Sequence, residues 1–222
     1  MEDDDGEPGA AARFSSTLGA VVEHELVVKR SRFLTRAAPV GTVAEADAVI
    51  AAVRKQHWDA RHHCVALIVG THADQQRSSD DGEPSGTAGI PMLEVLRRRD
   101  LTDLVTVVTR YFGGVKLGAG GLVRAYSTAV SETLDLARIV QRTPATTVTV
   151  PVPHADAGRI QGVLRDWADG HDAVVTGVEY AADAVITLLV PPTRLDAFDA
   201  ELAAASAGRL AGTRGQTIVM ER

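Results

Sequence analysis

The chain has 222 residues, of which 45% are hydrophobic and 23% are charged, which is ordinary for a globular protein that buries a core. No apolar run reaches the roughly 18 to 20 residues that cross a bilayer, and the acidic N-terminus is unlike a secretory signal. We therefore expect a cytoplasmic protein with no membrane contact. The single cysteine, Cys64, excludes an internal disulfide and makes a structural zinc site unexpected.

The net charge of −6 is unevenly distributed along the chain. Residues 1–12 carry five acids and no base, residues 13–140 carry 16 Lys and Arg against 14 Asp and Glu, and residues 141–222 carry 7 against 10. The middle section is only mildly basic, which is compatible with a local basic patch but not with a strongly basic stripe. Residues 1–12 lack apolar periodicity, so we predict a disordered acidic tail.

A first α+β domain is predicted over residues 13–140 from its alternating and helical patterns. Its strands are predicted at residues 21–28, 31–37, 63–70 and 104–109. Its helices are predicted at residues 43–53, 91–96 and 122–139. Thr42 and Glu45 form a capping box before the first helix. Residues 71–89 are polar and glycine-rich, and we predict a functional loop there because the segment is too long for an ordinary connection.

A second domain is predicted over residues 146–222. Its strands are predicted at residues 148–152, 173–180, 184–190 and 217–220, and its helices at residues 156–168 and 195–202. This βαββαβ order is that of the ferredoxin-like sandwich. Residues 141–145, which include Pro144, are the predicted junction. The expected fold class is thus α+β with two domains.

A glycine-rich segment follows the strand at residues 104–109 and precedes a helix. Its glycines are Gly113, Gly114, Gly118, Gly120 and Gly121. Glycines at a helix N-terminus are a generic anion site, and Arg110, Lys116 and Arg124 could add positive charge. Val123 breaks a dinucleotide fingerprint, and no Lys-Ser or Lys-Thr follows the last glycine as a Walker loop requires. Two explanations of the glycines stay open: anion binding, or a structural role in which they permit positive φ and close helix-to-sheet packing.

Aromatic residues accompany these cations. Tyr111, Phe112 and Tyr126 could stack on bases beside phosphate contacts. Aromatic residues at a strand end are also common core residues, so base stacking and core packing both stay open as interpretations.

The segment 80–89 offers three carboxylates within four positions: Asp80, Asp81 and Glu83. These could ligate magnesium, but the spacing is not that of an EF-hand, and a tight loop capped by acidic side chains is the favoured interpretation. His62, Ser85 and Thr87 complete a candidate loop site. No nucleophile elbow surrounds Ser85, so hydrolysis is the minority interpretation.

Four blocks in order resemble the IMPACT/YigZ family, in its bacterial-type two-domain form. They are residues 29–33, 60–64, 80–89 and 110–123. The resemblance implies a first domain like the second domain of a ribosomal small-subunit protein and domain four of elongation factor G. It implies a ferredoxin-like second domain like that factor's last domain. From the resemblance we expect a lysine in many relatives where this chain has Ile90, so one possible phosphate contact of the family is absent here.

The leading hypothesis is a non-catalytic, translation-associated regulatory or binding protein that needs no cofactor. Arg110, Lys116, Arg124 and the backbone of residues 113–121 would contact phosphate, while Tyr111 or Tyr126 packs against bases. Its partner would be RNA, the ribosome or a translation-regulatory protein. One alternative is a magnesium-dependent enzyme acting on a phosphorylated or nucleotide small molecule. Another is a protein-interaction scaffold. The oligomeric state is left open.

Overall fold

The computed structural model describes residues 14–221. The predicted disordered tail, residues 1–12, lies outside that range. The chain divides into two compact units, one formed by residues 15–141 and the other containing residues 142–221. Among the described residues, no helix is long and apolar enough to cross a membrane.

The first unit is built around a five-stranded antiparallel sheet. Its elements are β1 (Phe14–Leu18), β2 (Val22–Val28), β3 (Ser31–Pro39), α1 (Val43–Gln56), β4 (His62–Val69), β5 (Gln75–Ser79), α2 (Gly89–Arg98), β6 (Leu104–Tyr111) and α3 (Ala119–Asp135). The sheet order is β2-β3-β6-β4-β5, and every neighbouring pair is antiparallel. The central strands β4 and β6 are buried on both faces, which fits their continuous apolar sequences.

Helices cover both faces of this sheet, so the unit has three layers. On one face, α1 packs Ile50 and Val53 against Val65 and Val107. On the other face, α2 and α3 form a larger core that includes Phe33, Met92, Leu96, Leu104 and Tyr126. The capping box is confirmed in part: Thr42 Oγ1 accepts from the Glu45 amide at 3.2 Å, and the Glu45 carboxylate accepts from the Gly41 amide.

The second unit has the order βαββαβ: β7 (Ile139–Val152), α4 (His154–Gly170), β8 (Val174–Tyr180), β9 (Ala184–Val190), α5 (Leu195–Ser206) and β10 (Thr213–Glu221). A short 3₁₀ helix, Pro192–Arg194, precedes α5. The five-stranded sheet that contains β7 has the order β1-β7-β9-β8, with β10 also paired to β7, and the β10–β7, β7–β9 and β9–β8 pairs are antiparallel. The helices bury Ile160, Leu164, Phe198 and Leu202 against this sheet. The predicted α+β class and the ferredoxin-like order are confirmed.

Several predicted boundaries differ from the structure. The predicted loop 71–89 contains β5, a polar edge strand that pairs with β4 from Val65↔Ser79 to Val69↔Gln75. It was missed because the sequence Gln-Gln-Arg-Ser-Ser has no apolar alternation. Helix α3 begins at Ala119 rather than at residue 122, and it ends at Asp135 rather than at residue 139. The boundary between the two units falls between Gln141 and Arg142, inside the predicted junction 141–145, but the chain there is part of β7, which runs unbroken through Pro144, and not a loop.

Sheet register places three connections at one end of the sheet. Arg32, just after the β2–β3 turn, pairs with Tyr111 at the end of β6. His62, just after the α1–β4 turn, pairs with Arg110. We call this end of the strands the Tyr111 end of the sheet. Both segments predicted to carry function begin or end near it.

Candidate nucleic-acid interface

Asp80 closes the acidic loop, which we define as residues 80–89. Its carboxylate accepts hydrogen bonds from the backbone amides of Gly86 at 2.8 Å, Ala88 at 2.9 Å and Gly89 at 2.8 Å. Because no side chain of the N-cap residue Ala88 caps α2, Asp80 satisfies the amides at the start of that helix. Partial burial disfavours the charged form, but the three amide hydrogen bonds outweigh it and lower the pKa of Asp80 below its ordinary value.

Asp81 holds a tight turn at the other side of the loop. Its backbone has φ +42°, and Gly82 follows with φ +86°. Its carboxylate accepts from the His63 amide at 2.7 Å and from Arg54 at 2.8 Å, while its carbonyl lies 2.9 Å from His62 Nδ1. His62 therefore does contact the loop, as predicted, but it contacts the backbone carbonyl of Asp81 and not a loop side chain.

Glu83 lies in the interior, where it pairs with two side chains from other elements. Its Oε1 accepts from Arg110 at 2.7 Å and from the hydroxyl of Tyr126 at 2.8 Å. The Arg110 guanidinium lies 5.5 Å from the ring centre of Phe33 and 5.6 Å from that of Phe112. Arg110 is only 7% exposed and Tyr126 is fully buried. Both side chains are directed into the interior, so in this conformation they are not exposed for the phosphate and base contacts predicted for them.

Cys64 belongs to the same interior. It is fully buried, as predicted, and its thiol donates to the carbonyl of Asp80 at 3.0 Å. Burial raises the pKa of the thiol to about 12, with the charges of Glu83, Asp81 and Asp80 adding to the shift. Burial raises the pKa of Tyr126 as well, and the neighbouring Cys64 and Glu83 contribute. Neither group is a nucleophile at neutral pH, because the ionised form is the reactive one.

The remaining loop residues do not assemble a catalytic pair. Thr87 donates to the carbonyl of Pro84 at 2.6 Å, and Ser85 is exposed. The three carboxylates point to three different sets of partners. Among residues 14–221, no three histidines, cysteines or acids are grouped as metal ligands would be.

The glycines of the glycine-rich segment, residues 113–124, have different roles. A Cβ on Gly113 would lie 2.0 Å from the carbonyl carbon of Arg30, so only glycine allows the close approach of this chain to the β2–β3 turn. Gly114 and Gly118 have φ +84° and +73°. Gly120 has open space around it. Close packing therefore accounts for Gly113, and a positive φ accounts for Gly114 and Gly118, but neither accounts for Gly120.

Helix α3 begins in this segment without a side-chain cap and without an acid in its first turn. The first amides of a helix have no partner within the helix and carry a partial positive charge. Lys116 just before the helix and Arg124 in its second turn are both exposed, and neither forms an ion pair within residues 14–221. Positive charge near this helix end is unfavourable by itself and favours a bound anion.

A cleft of about 330 Å³ lies between β2 and α3. We call it the basic cleft and define it by Lys29, Leu117, Gly121 and Arg124. Its lining also includes Leu26, Val28, Ala125 and Thr128, and so contains two cations and no carboxylate. Lys29 and Arg30 form the two-residue β2–β3 turn with φ +46° and +69°, a conformation usually taken by asparagine or glycine. The turn thus presents two exposed cations from a strained backbone.

Comparison with known proteins gives matches to both units. Residues 29–134 match the model of the Impact N-terminal domain, and residues 150–209 match a domain of unknown function, DUF1949. IMPACT family member YigZ of Escherichia coli (strain K12) is 38% identical over 185 residues, which are 82% of this chain and 89% of that protein. The chain belongs to the IMPACT family.

Another relative of this IMPACT-family protein carries the same family name, and a solved structure is similar over nearly the whole chain. IMPACT family member YvyE of Bacillus subtilis (strain 168) is 48% identical over 144 residues, 65% of this chain and 66% of that protein. A solved structure titled as a hypothetical protein is similar with a TM-score of 0.58 and 35% identity, over 92% of this chain and 98% of that one. The Impact N-terminal match contains every predicted site residue.

Two exposed aromatic rings in the IMPACT domain stand near the Tyr111 end of the sheet. Trp58, in the α1–β4 connection, is 82% exposed, and Phe112, directly after β6, is 56% exposed. Tyr111 is half-buried, donates to Asp59 at 2.9 Å and lies under Arg32, whose guanidinium is 5.7 Å from its ring centre. Exposed rings among cations are typical of surfaces on which unpaired bases stack.

The structure therefore brings together only part of the predicted binding set. Lys116, Gly118, Gly120, Gly121 and Arg124 share the exposed start of α3. Lys29, Arg30 and Trp58 are additional candidates that the sequence reasoning missed. Lys29 and Arg30 could have been noticed, because a two-residue turn without Gly, Asn or Asp between alternating strands is unusual. Trp58 gave no periodic signal.

Proposed function

We propose that this protein binds RNA through the basic cleft and the exposed start of α3, without catalysing a reaction, and that it acts in regulation of translation. The observation that carries the proposal is the basic cleft itself, because Lys29 and Arg124 line it from two different elements and no carboxylate neutralises them. Phosphate contacts from Lys and Arg supply most of the sequence-independent affinity for nucleic acids.

The other features of the same end of the sheet support RNA as the partner. Lys116 and the uncapped start of α3 add positive charge beside the cleft. Phe112 and Trp58 present exposed rings that suit unpaired bases. The setting in translation is supported by the resemblance of the first domain to domain four of elongation factor G, a likeness of fold and not of site.

The magnesium-dependent alternative has less support from the geometry. The Asp80 carboxylate accepts hydrogen bonds from three backbone amides. The Asp81 carboxylate accepts from the His63 amide and from Arg54, and the Glu83 carboxylate accepts from Arg110 and Tyr126. Releasing any of these carboxylates to a cation would break contacts that close the loop. We therefore do not carry that alternative further.

Binding is tested by fluorescence anisotropy with a short, unstructured labelled RNA between about 50 and 200 mM salt. The variants are Lys29→Ala and Arg124→Ala. Each is expected to weaken binding and to reduce the slope of log affinity against log salt by about 1 per lost phosphate contact. The matched control is Arg165→Ala, which removes an exposed cation from α4 of the second unit. No affinity at low salt, or equal losses in the control, contradicts the proposal.

The link to translation needs its own measurement. Co-sedimentation with ribosomal subunits at low salt is expected to retain the wild-type protein and to lose the doubly substituted Lys29→Ala, Arg124→Ala form. Retention of both forms would mean that ribosome association does not use the basic cleft. A partner that persists after nuclease treatment would indicate a protein scaffold instead.

A further inference from the structure

A second cleft, of about 270 Å³, lies beside α1, on the face of the sheet opposite to the buried Glu83–Arg110 ion pair. We call it the polar cleft and define it by Glu23, Leu34, Arg36, Val53, His57 and Thr109. Side chains alternate between the faces of a strand, and Val105 and Val107 of β6 pack toward α1, so Thr109 faces that side. Leu34 and Arg36 share this face with Ala38 of β3 by the same alternation.

Two polar atoms of the polar cleft have no hydrogen-bond partner among residues 14–221. The hydroxyl of Thr109 is fully buried and unpaired, and so is the Nε of Arg36. Buried polar groups in proteins are almost always hydrogen-bonded, because an unmet donor or acceptor is costly. Two such atoms on one cleft point to a ligand, or to a solvent molecule, that pairs with them.

His57 adds a defined acceptor to the polar cleft. Its Nδ1 lies 3.1 Å from the Tyr111 hydroxyl, and that hydroxyl donates its only proton to Asp59 at 2.9 Å. Nδ1 must therefore be the donor to Tyr111, which leaves a lone pair on Nε2 of the neutral ring. His57 lines the cleft and Tyr111 does not, and Nε2 lies on the side of the imidazole ring away from Tyr111. A ligand that donates a hydrogen bond would match it.

The charges around the polar cleft are already paired. Arg36 donates to Glu23 at 2.7 Å, and Glu25, which also lines the cleft, is held by two hydrogen bonds from Arg32. A carboxylate or phosphate ligand would find no unpaired cation here, and a simple cation would offer no acceptor to Arg36 Nε. A neutral ligand with both a donor and an acceptor fits best. Leu34 and Val53 provide apolar surface for a flat ring.

We propose that the polar cleft binds a nucleobase that carries an exocyclic amino group, either of a free nucleoside or of an unpaired position in RNA. A ring nitrogen or carbonyl of the base accepts from Arg36 Nε, the amino group donates to His57 Nε2, and the Thr109 hydroxyl pairs with the base edge. The cleft is smaller than the pockets that hold drug-sized ligands, which suits a single base. The proposal does not depend on the basic cleft, since the two clefts share no lining residue.

The test uses the full chain and calorimetric titration with adenosine, cytidine, guanosine and uridine, with ribose as the blank. The variant is Thr109→Val, which removes the unpaired hydroxyl at nearly constant shape. The matched control is Thr106→Val, because Thr106 is a fully buried threonine of the same strand β6 that alternation places on the other face, and it does not line the polar cleft. Thr109→Val removes no hydrogen bond of the folded chain, and Thr106→Val removes one, to the Ala66 carbonyl. Thermal unfolding is used to verify that both variants fold.

We expect saturable binding of at least one amino-bearing nucleoside, weakened about tenfold or more in Thr109→Val and unchanged in Thr106→Val. If the base comes from RNA, Thr109→Val also weakens RNA binding without changing its salt slope, and an abasic substitution in the RNA has the same effect. If only free nucleosides bind, RNA affinity is unchanged by Thr109→Val. Loss of a phosphate contact in the basic cleft changes the salt slope, whereas loss of a base contact in the polar cleft does not. The slope therefore distinguishes failure of this proposal from failure of the RNA site proposed at the basic cleft.

Two outcomes overturn the proposal. One is the absence of any dependence on Thr109 in either the nucleoside titrations or the RNA titrations. The other is a crystal soaked with the four nucleosides in which only an ordered water occupies the cleft and bonds to Thr109 Oγ1. A solvent molecule would then satisfy the hydroxyl, and the polar cleft would be a structural feature.

Discussion

The acidic loop and the glycine-rich segment differ in how completely their polar groups are satisfied. In the acidic loop each carboxylate has at least two partners, from amides, an arginine or a tyrosine. In the glycine-rich segment Lys116 and Arg124 are exposed, and the start of α3 has no cap. Charged residues alone therefore do not indicate a binding site. The segment that is free to bind is the one whose polar groups lack partners inside the fold.

The two segments are also connected, and Glu83 is the link. Arg110 comes from the end of β6 just before the glycine-rich segment, and Tyr126 comes from α3 just after it. Both donate to the same oxygen of Glu83. The acidic loop thus fixes the two ends from which the glycine-rich segment extends. Its contribution to binding would be to hold that segment in place.

Replacing Glu83 is expected to have the largest effect on stability. Glu83→Ala leaves the Arg110 charge buried and unpaired, which costs about 3–5 kcal/mol of unfolding free energy. Urea unfolding followed by circular dichroism measures the loss. The control is Glu25→Ala, which breaks a solvent-exposed pair with Arg32 and is expected to cost far less. Equal losses in the two variants would mean that Glu83 is not the link between the segments.

A pair of glycine substitutions separates packing from openness within the glycine-rich segment. Gly113→Ala forces a Cβ against the backbone of Arg30 and is expected to cost about 1–3 kcal/mol or more. Gly120→Ala meets nothing within 4 Å and lies in α3, so it is expected to stabilise the protein by about 0.5–1 kcal/mol. The same unfolding experiment measures both. A neutral Gly113→Ala would contradict the close approach at the β2–β3 turn.

Among the substitutions expected to destabilise the protein, Asp80→Ala gives the smallest loss, and it also gives a pH signature. Asp80→Ala removes the acceptor for three amides and is expected to cost about 1–2 kcal/mol at neutral pH. Because the folded-state pKa of Asp80 is lowered, its stabilisation is present above the ordinary carboxyl pKa and is lost as the pH falls through the folded value.

The stabilities of wild type and Asp80→Ala should therefore converge in acid. Unfolding free energies measured at neutral pH and in a series down to about pH 3 give the comparison. A difference between the two proteins that stays constant over this range would show that the charge of Asp80 does not close the loop.

Much of the fold followed from sequence patterns, since strands such as β4 and β6 are continuous apolar runs and α1 carries its capping box. The polar edge strand β5 could not be predicted, because it is defined only by its pairing with β4. The continuation of β7 through Pro144 was missed for a similar reason. Pairing with β9 begins at Thr146, while β10 pairs with the strand at Pro144 itself.

The candidate site was predictable as a segment but not in its details. The glycines and cations near α3 marked the right region. The sequence could not show that Arg110 and Tyr126 turn inward to Glu83, because that depends on a loop 27 and 43 residues away. Nor could it show that Lys29 lies across a cleft from Arg124. Both facts come from the antiparallel order of the sheet.

The most direct test of the contrast between the two segments is to map the RNA contacts on backbone amides by nuclear magnetic resonance. Titration with a short unpaired RNA at low salt is expected to shift the amides of Lys29, Arg30 and residues 114–124. The amides of residues 80–89, closed by Asp80, are expected to stay in place. Shifts concentrated in the acidic loop, with none at Lys29 or in the glycine-rich segment, would contradict the account.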